Sequence, residues 1–392
     1  MYDVIIIGCG LAGMISARYF CDNGYKVLIL EKRSHIGGNI YDEVDESGFL
    51  VQKYGPHCFF TDDERIKPYV ERFVGTEDCF VKCKTKINGK DIPMPFNFES
   101  IDIIYDKTTA EELKQCLNQA FGDKKIVSVT DLLNCSDELI QDYGKFMYEN
   151  EYKLYSAKQW GRDISEISPA VFHRVPVYLS YADQYQSSKY QFLPKGGFTK
   201  FSEELINSEL IDVRTSVDAI AENIVEIRDN VVHVHWENRT YDSIPVLFTG
   251  ELDALFEYKY GKLPYRSLEF IWKTIMEDEY HDTEIVAYPQ ADKITRVTEY
   301  KKLPVQRCDG KTRISIEIPV EYDINAPIGN EPYYPIKNDE NDQKYQLYLE
   351  MSSKIGNLYL CGRLADYKYY NMDNVMIRAQ ETAQKIIKEN LA

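Results

Sequence analysis

The first 40 residues place a glycine-rich turn between two short apolar runs. The run VIII, at positions 4–7, has the length of a buried strand, and Gly8, Gly10 and Gly13 follow it as G-x-G-x-x-G. A helix is predicted over 16–23, and the second run, KVLIL, leads directly into Glu31. Strand, glycine turn, helix, strand and acid in this order predict a unit that binds a dinucleotide. A glycine-rich turn without a ligand is the alternative.

The glycines have separate physical tasks in such a unit. Gly8 permits the tight turn, Gly10 lets a pyrophosphate approach the backbone, and Gly13 lets the helix pack close to the strand. The start of the helix offers unpaired N–H groups and a positive dipole to the phosphates. The predicted cofactor-binding residues of this turn are Gly8, Gly10, Leu11, Ala12 and Gly13.

The acid that ends the second run narrows the choice of dinucleotide. Glu31 is placed to accept both hydroxyls of a ribose, which favours FAD or NAD over NADP. The letters EKR then lead into GGN at 37–39, an extension that resembles flavoproteins in which a second glycine turn meets FAD. An ordinary β-turn is the alternative for these glycines. On the FAD interpretation, the cofactor-binding residues also include Glu31, Lys32, Gly38 and Asn39.

Composition limits the partners of the chain. Its 46 Lys and Arg against 63 Asp and Glu give a net charge of −17, which argues against nucleic acid or an anionic membrane surface. No apolar run approaches the ~20 residues of a membrane span, so no membrane insertion is expected. Nine cysteines without a C-x-x-C pair predict free thiols in a reducing cytoplasm. His233 and His235 lack a third ligand nearby, so no metal is expected.

The rest of the chain changes character several times. Helical periodicity dominates a segment that begins near Asn97, and runs at 265–274, 283–288, 295–301 and 312–319 predict an antiparallel sheet. Apolar runs at 245–250 and 357–363 are expected to return to the N-terminal parallel sheet. The second of them ends in Gly362 and Arg363 and precedes a helix that starts at Met372. The first and last segments are therefore predicted to meet at one cofactor.

Motifs spread through the chain resemble those of the UDP-galactopyranose mutase family over essentially its full length. They are Y-x-x-K-Q-W-G at 155–161, R-x-P-V at 174–177, Q-x-x-P-x-x-G at 191–197, T-R-x-x-E-x-K at 295–301, P-Y-Y-P at 332–335, G-R-L at 362–364 and Y-x-x-M-D at 369–373. Several motifs in the right order are far more specific than the glycine turn alone.

The resemblance implies an α/β fold with three parts. A Rossmann-like FAD-binding domain would combine 1–75, 197–252 and 338–392. A helical domain with a mobile substrate loop would span 97–196, and an antiparallel sheet domain would combine 76–96 with 253–337. The active site is expected in the cleft between them. The family is often dimeric through its helical domain, so a homodimer is an expectation.

The resemblance also implies the chemistry, which is a redox-neutral isomerisation. In this family, N5 of reduced FAD attacks the anomeric carbon of a nucleotide sugar and displaces the nucleotide diphosphate. The sugar ring then opens and recloses through another hydroxyl, which converts the pyranose to the furanose. UDP-galactose is the expected substrate, and galactofuranose for polysaccharide synthesis is the expected product.

Site residues carried over from the family fall into two groups. The catalytic group holds Arg174, Arg363 and His57, in which the arginines clamp the diphosphate and the histidine lies near the flavin. Surface charge is the alternative for Arg174, and a buried structural role is the alternative for His57. Arg296 would face the same cleft, with a cross-strand pair to Glu299 as its alternative. The predicted substrate-binding residues are Asn97, Tyr155, Trp160, Tyr185, Arg296, Tyr334, Tyr369 and Phe60.

Three departures from the family pattern leave the exact substrate open. Phe60 stands where the family usually has a second histidine, Tyr178 replaces a common arginine and Asn371 replaces a common aspartate. A modified sugar nucleotide, such as dTDP-fucose or UDP-N-acetylgalactosamine, is therefore an alternative. Two other classes also share the glycine turn. They are a flavin amine oxidase or desaturase and a non-catalytic nucleotide-binding protein.

Overall fold

The computed structural model describes residues 1–162, 175–185, 188–323 and 330–391. It confirms the predicted fold class, a Rossmann-like α/β unit combined with helices and a largely antiparallel sheet. No helix within these described ranges is both long and apolar enough to cross a membrane.

The first eleven strands, in chain order, are β1 (Val4–Ile7), β2 (Val27–Leu30), β3 (Asp42–Val44), β4 (Leu50–Gln52), β5 (Phe59–Thr61), β6 (Thr76–Asp78), β7 (Cys83–Ile87), β8 (Lys90–Met94), β9 (Ile126–Val127), β10 (Val177–Tyr178) and β11 (Tyr190–Pro194). The strands that follow are β12 (Ile211–Arg214), β13 (Val225–Arg228), β14 (Val231–Trp236), β15 (Arg239–Tyr241), β16 (Val246–Phe248), β17 (Tyr265–Ile275), β18 (Ile285–Ala287), β19 (Arg296–Glu299), β20 (Thr312–Glu321), β21 (Tyr334–Pro335) and β22 (Leu358–Leu360).

The helices are α1 (Leu11–Asp22), α2 (Ile66–Glu71), α3 (Phe98–Ile104), α4 (Lys107–Phe121), α5 (Val129–Leu133), α6 (Glu138–Met147), α7 (Lys153–Trp160), α8 (Phe198–Ile206), α9 (Leu252–Leu255), α10 (Asp339–Ser352) and α11 (Met372–Ile386). A π-helical turn, Tyr148–Tyr152, joins α6 to α7, where one helix over 138–155 is predicted from periodicity.

A five-stranded parallel sheet carries the dinucleotide-binding unit, in the order β12-β2-β1-β16-β22. Strands β1, β2 and β16 are buried along their whole length, as their continuous apolar runs predict for strands covered on both faces. The apolar runs at 245–250 and 357–363 are predicted to join the N-terminal parallel sheet. This prediction is confirmed, because β16 pairs with β1 and β22 pairs with β16. The edge strand β12 is not predicted from the sequence.

The glycine turn enters its helix earlier than predicted. Helix α1 begins at Leu11, directly after Gly10, so Gly13 lies in its first turn. A Cβ on Gly13 would lie 2.1 Å from the carbonyl oxygen of Gly8, so only glycine lets α1 start this close to β1.

The second large sheet has seven strands, in the order β21-β17-β20-β19-β18-β7-β8. Neighbouring strands are antiparallel except β18 and β7, which are parallel. The four strands predicted between 265 and 319 are all present in it. Asn88 and Gly89 join β7 to β8 with φ angles of 51° and 79°, the positive values that a two-residue hairpin turn of this kind needs.

A three-stranded sheet joins β11 to two strands from much earlier in the chain. Strand β11 pairs with β5 on one side and β6 on the other. The rings of Phe59 and Phe192 stack across this sheet with their centroids 4.9 Å apart, and Phe198 of α8 packs beside Phe59. This apolar contact positions β5 and the loop before it, which carries His57.

Candidate active site

A groove of about 470 Å³ lies at the carboxyl ends of β1, β2, β16 and β22. The chain leaves β1 toward β2 on one side and β16 lies on the other, so this is the switch point where open α/β sheets bind ligands. The sequence-predicted residues that line the groove are Gly8, Gly10, Leu11, Ala12, Glu31, Lys32, Gly38, Asn39, His57, Gly362, Arg363 and Met372. Gly13 instead packs behind it, against Gly8.

The two glycine turns contact each other at the floor of the groove. Gly10 and Gly37 form a parallel bridge, and a Cβ on Gly38 would lie only 2.9 Å from the Cα of Gly10. A Cβ on Gly10 itself would meet no atom of the described residues within 4 Å. Gly10 is therefore bare toward the groove, as close approach of a ligand phosphate to the backbone requires.

Glu31 is held at the end of β2 by main-chain donors. Its Oε2 accepts a hydrogen bond from the N–H of Cys9 at 2.6 Å, and its Oε1 accepts one from the N–H of Arg33 at 2.8 Å. The carboxylate is buried but lines the groove. Each oxygen keeps a further lone pair, so the acid can accept from ligand hydroxyl groups.

Arg33 is a groove residue that the sequence interpretation did not select. Its Nη2 donates to Glu331 at 2.6 Å and to Asn39 at 2.9 Å, and its guanidinium lies over the ring of Tyr54. Its Nη1 is buried and has no hydrogen-bond partner among the residues that the structure describes. A buried donor without a partner is costly, so this nitrogen fits a ligand acceptor such as a phosphate oxygen. Its position next to Lys32, a predicted cofactor-binding residue, was the feature of the sequence that could have identified it.

His57 lines the groove as a neutral imidazole. Its Nδ1 lies 2.8 Å from the carbonyl oxygen of Gly55, and because a carbonyl only accepts, Nδ1 carries the proton. Burial, together with the positive charges of Arg363 and Arg296, lowers the pKa of His57 to about 4, against the opposing effect of the hydrogen bond to Gly55. Its Nε2 is therefore an acceptor at neutral pH.

Arg363 lies between the groove and a cluster of tyrosines, Tyr155, Tyr334 and Tyr369, which we call the aromatic cleft. Its Nη1 donates to the carbonyl oxygen of Tyr333 at 3.2 Å and its Nη2 to that of Tyr370 at 3.1 Å. Its guanidinium lies 5.0 Å from the ring centroid of Tyr369 and 5.9 Å from that of Tyr334. Both hydrogen bonds are to main-chain carbonyls, so its charge stays available to an anion.

Arg296 of β19 lies near Tyr155 and Tyr334 of this cleft and is paired with an acid that the sequence did not indicate. Its Nε donates to Oε2 of Glu317 at 2.8 Å, and its Nη2 lies 2.7 Å from the same oxygen. The alternative pair with Glu299 is wrong, because Glu299 is fully buried and accepts from the N–H groups of Tyr280 and His281.

Tyrosines surround the two arginines. Burial raises the pKa of Tyr155 well above its usual range, and the nearby charge of Arg296 opposes this rise. Burial and the neighbouring Tyr369 raise the pKa of Tyr334 to about 12, and Arg296 and Arg363 act on it in the opposite direction. The phenols are therefore protonated donors at neutral pH, and both lie within the field of the arginines.

Trp160 and Tyr185 lie beside this cluster rather than in the groove. Trp160 lines a second cavity of about 310 Å³, which shares Glu251 and Tyr258 with the groove. The ring of Tyr185 meets that of Phe60 edge-on, with centroids 6.5 Å apart.

Asn97 is fully buried and caps α3. Its side chain accepts from the N–H of Ser100 at 3.0 Å and donates to the carbonyl oxygen of Ala182 at 2.9 Å. Arg174 lies outside the residues that the structure describes. Of the departures from the family pattern, Tyr178 is buried in β10 and Asn371 precedes α11 at its N-terminus. Further groove residues that the sequence interpretation did not select are Val217, Asp218, Thr249, Pro332 and Tyr370.

Two family models match different parts of the chain. Residues 6–73 match the family model for an NAD(P)-binding Rossmann-like domain, which covers the first glycine turn and Glu31. Residues 150–369 match the model for UDP-galactopyranose mutase, which covers the tyrosines and arginines of the cleft.

Whole-length relatives agree with the second match. The chain is 34% identical to a UDP-galactopyranose mutase of Mycoplasma genitalium over 98% of this chain and 95% of that protein. It is 29% identical to a dTDP-fucopyranose mutase of Escherichia coli over the full length of both. A crystal structure of reduced UDP-galactopyranose mutase has the same fold, with a TM-score of 0.71 at 16% identity over 100% of this chain and 97% of that one. The chain therefore belongs to the UDP-galactopyranose mutase family, a family of isomerases.

Proposed function

We propose that the chain is a flavin-dependent mutase that interconverts the pyranose and furanose forms of a nucleotide-diphosphate hexose, UDP-galactose or a close relative. One observation carries the proposal. Arg363 lines the dinucleotide groove and also lies over Tyr369 and Tyr334 of the aromatic cleft. A charge in that position can hold a diphosphate leaving group next to a bound dinucleotide.

FAD in its reduced form is the cofactor that we infer. The carboxylate of Glu31 suits a ribose, the unpartnered Nη1 of Arg33 suits a phosphate oxygen, and the bare backbone of Gly10 suits a pyrophosphate. When bound, reduced FAD would supply the nucleophile that attacks the anomeric carbon.

The residues of the cleft would bind and hold the rest of the substrate. Arg363 and Arg296 present guanidinium donors to the diphosphate, and Arg174 would add a third from outside the described residues. Tyr155 and Tyr334, protonated at neutral pH, can donate to phosphate oxygens. A leaving group held by these donors stays in place to rejoin the sugar, which lowers the entropic cost of the return step.

The remaining aromatic residues are proposed to contact the base and the sugar. Tyr185 and Trp160 offer ring faces that suit a pyrimidine. Phe60 cannot donate or accept a conventional hydrogen bond, so a sugar with fewer hydroxyl groups, such as the 6-deoxy sugar of dTDP-fucose, is the alternative substrate. The relative from Escherichia coli that is named dTDP-fucopyranose mutase supports keeping this alternative.

The cellular compartment and the oligomeric state of the protein are proposed by analogy with the family. The cysteines within the described ranges are all free, which fits the reducing cytoplasm that we infer. A homodimer through the helical segment and a role in furanose supply for polysaccharides rest on the family alone.

Anaerobic assays of the purified protein test the proposal. UDP-galactose, dTDP-fucose and UDP-N-acetylgalactosamine are incubated separately, before and after dithionite reduction, and pyranose is resolved from furanose by chromatography. Furanose that forms only after reduction is the expected result. Absence of furanose from all three substrates, with hydrogen peroxide released from amines instead, would move the chain to the oxidase class. Equal turnover of the three substrates would contradict the inference that Phe60 selects a sugar with fewer hydroxyl groups.

A further inference from the structure

Lys158 is a half-buried cation in the last turn of α7 that makes no ion pair with a neighbouring carboxylate in the described structure. Its ammonium donates to three main-chain carbonyl oxygens, those of Tyr288 at 2.5 Å, Ala291 at 2.8 Å and Ile294 at 2.7 Å. An ammonium has three N–H donors, so this arrangement uses all of them. Glu151 and Asp292 lie near enough to favour its charge.

The three carbonyls belong to one loop, and that loop leads into the cleft. Residues 288–294 join β18 to β19, which begins at Arg296. The loop is closed at its base by a hydrogen bond of 2.8 Å from the N–H of Tyr288 to the carbonyl of Thr295. The shape of this loop therefore sets where β19 starts and where the Arg296 side chain leaves the backbone.

Helix α7 carries two other residues of the proposed site. Tyr155 lies three positions before Lys158, on the same helical face, and Trp160 lies at the end of the helix. Arg266 of β17 donates to the carbonyl of Gln159 at 3.0 Å, which holds the end of α7 to the same sheet. Lys158 thus links the helix that carries Tyr155 to the loop that precedes Arg296.

We propose that Lys158 is a positioning residue for the nucleotide-sugar cleft, which fixes Tyr155 and Trp160 of α7 relative to Arg296 of β19. The inference rests on the proposed function for the identity of the ligand. It does not make Lys158 a ligand, because all three of its donors are already used within the protein. Methionine has a similar length but no donor, so Lys158→Met would leave the loop carbonyls without their partner.

The test compares Lys158→Met and Lys158→Arg with a matched control, Lys153→Met. Lys153 begins the same helix, its side chain is 40% exposed, and its ammonium pairs with Glu149 at 2.7 Å. The full-length FAD-loaded proteins are compared for UDP and dTDP affinity by calorimetry, for flavin content by absorbance, and for hydrogen exchange of the amides at 288–296.

Lys158→Met is expected to bind UDP about tenfold more weakly than the control and to exchange the 288–296 amides faster, with flavin content and melting temperature like those of the control. Lys158→Arg, which keeps the charge and donors, should recover part of the affinity. UDP affinity and exchange equal to those of Lys153→Met would overturn the inference. Parallel loss of flavin and melting temperature would also overturn it, because that result marks a general structural role.

The proposed function fails in a different way. Wild-type protein that binds UDP or dTDP but forms no furanose would refute the mutase and leave the Lys158 comparison intact. If the wild type bound neither nucleotide, the proposed substrate class would fall, and the exchange of the 288–296 amides would still decide whether Lys158 fixes the loop.

Discussion

Arg296 and Glu317 form a buried ion pair in which two guanidinium nitrogens meet one carboxylate oxygen. Nε and Nη2 of Arg296 lie 2.8 and 2.7 Å from Oε2 of Glu317, whose side chain is only 3% exposed. The two residues are direct cross-strand partners in β19 and β20. The pair holds one edge of the guanidinium, and the N–H groups on its other edge can meet an anion in the cleft.

Removing the acid of this pair should cost stability as well as binding. Glu317→Ala would leave the charge of Arg296 buried without compensation, and we expect the free energy of unfolding to fall by about 3–5 kcal/mol. Urea unfolding measures this. Lys67→Ala is the control, because Lys67 and Asp78 form a surface pair 2.7 Å apart and such pairs contribute about 1 kcal/mol or less. Equal losses in the two variants would contradict the prediction.

Alanine substitutions at Gly10 and Gly13 should have separate effects, the first on cofactor binding and the second on folding. A Cβ on Gly10 meets no protein atom within 4 Å, so Gly10→Ala should fold normally yet lose bound flavin because the methyl group enters the groove. A Cβ on Gly13 lies 2.1 Å from the carbonyl oxygen of Gly8, so Gly13→Ala should be destabilised even without cofactor. Apoprotein melting and flavin absorbance check the pair. Normal flavin content in Gly10→Ala would show that the cofactor does not approach this backbone.

His57 should make stability depend on pH in the acidic range. Its pKa is about 4 in the folded chain and 6.5 when exposed, so the unfolded chain takes up this proton first. The contribution is fully present above about pH 6.5 and is lost as the pH falls through 4. The difference in unfolding free energy between wild type and His57→Gln should therefore shift against the wild type on acidification. His235→Gln, an exposed histidine variant, is the control, and a constant difference from pH 7 to 4.5 would disprove the assignment.

Glu151 should have the opposite pH dependence. Burial raises its pKa from 4.5 to about 7, against the hydrogen bond from Thr85 and the charge of Lys158. Its contribution is present below pH 4.5 and is lost as the pH rises through 7, because the unfolded chain releases the proton earlier. Glu151→Gln should gain up to roughly 3 kcal/mol relative to wild type over that window. Glu149→Gln, on the exposed side of the same turn, should not gain unfolding free energy over this pH range. Equal gains in the two variants would refute the prediction.

Arg363 should be needed for turnover but not for folding. Arg363→Ala removes the guanidinium that lines the groove and lies over Tyr369, while its two hydrogen bonds are only to main-chain carbonyls. We expect flavin to stay bound and turnover of UDP-galactose to fall below detection. Absorbance and furanose chromatography measure the two effects. Turnover near that of the wild type would remove Arg363 from the mechanism.

Local patterns in the sequence were sufficient for the elements that stabilise themselves. The strand, glycine turn and helix of residues 4–22 and the Asn88-Gly89 hairpin follow from apolar runs and from positions that require glycine or asparagine. Elements that depend on distant partners were missed. Helix α10 is mostly polar and is held by the buried rings of Tyr345 and Tyr348, and β12 is an edge strand with one buried residue.

The residues of the site also divide into those that the sequence indicates and those that depend on distant partners. The sequence itself indicated the glycines and Glu31 through the chemistry of phosphates and ribose, and it indicated the motif residues of the cleft through their resemblance to the family. Only the tertiary structure decided which acid meets Arg296. Glu299 is three residues away, but successive side chains in a strand point to opposite faces, so it cannot share a face with Arg296. Glu317 is far along the chain and lies directly opposite in the register of β19 and β20.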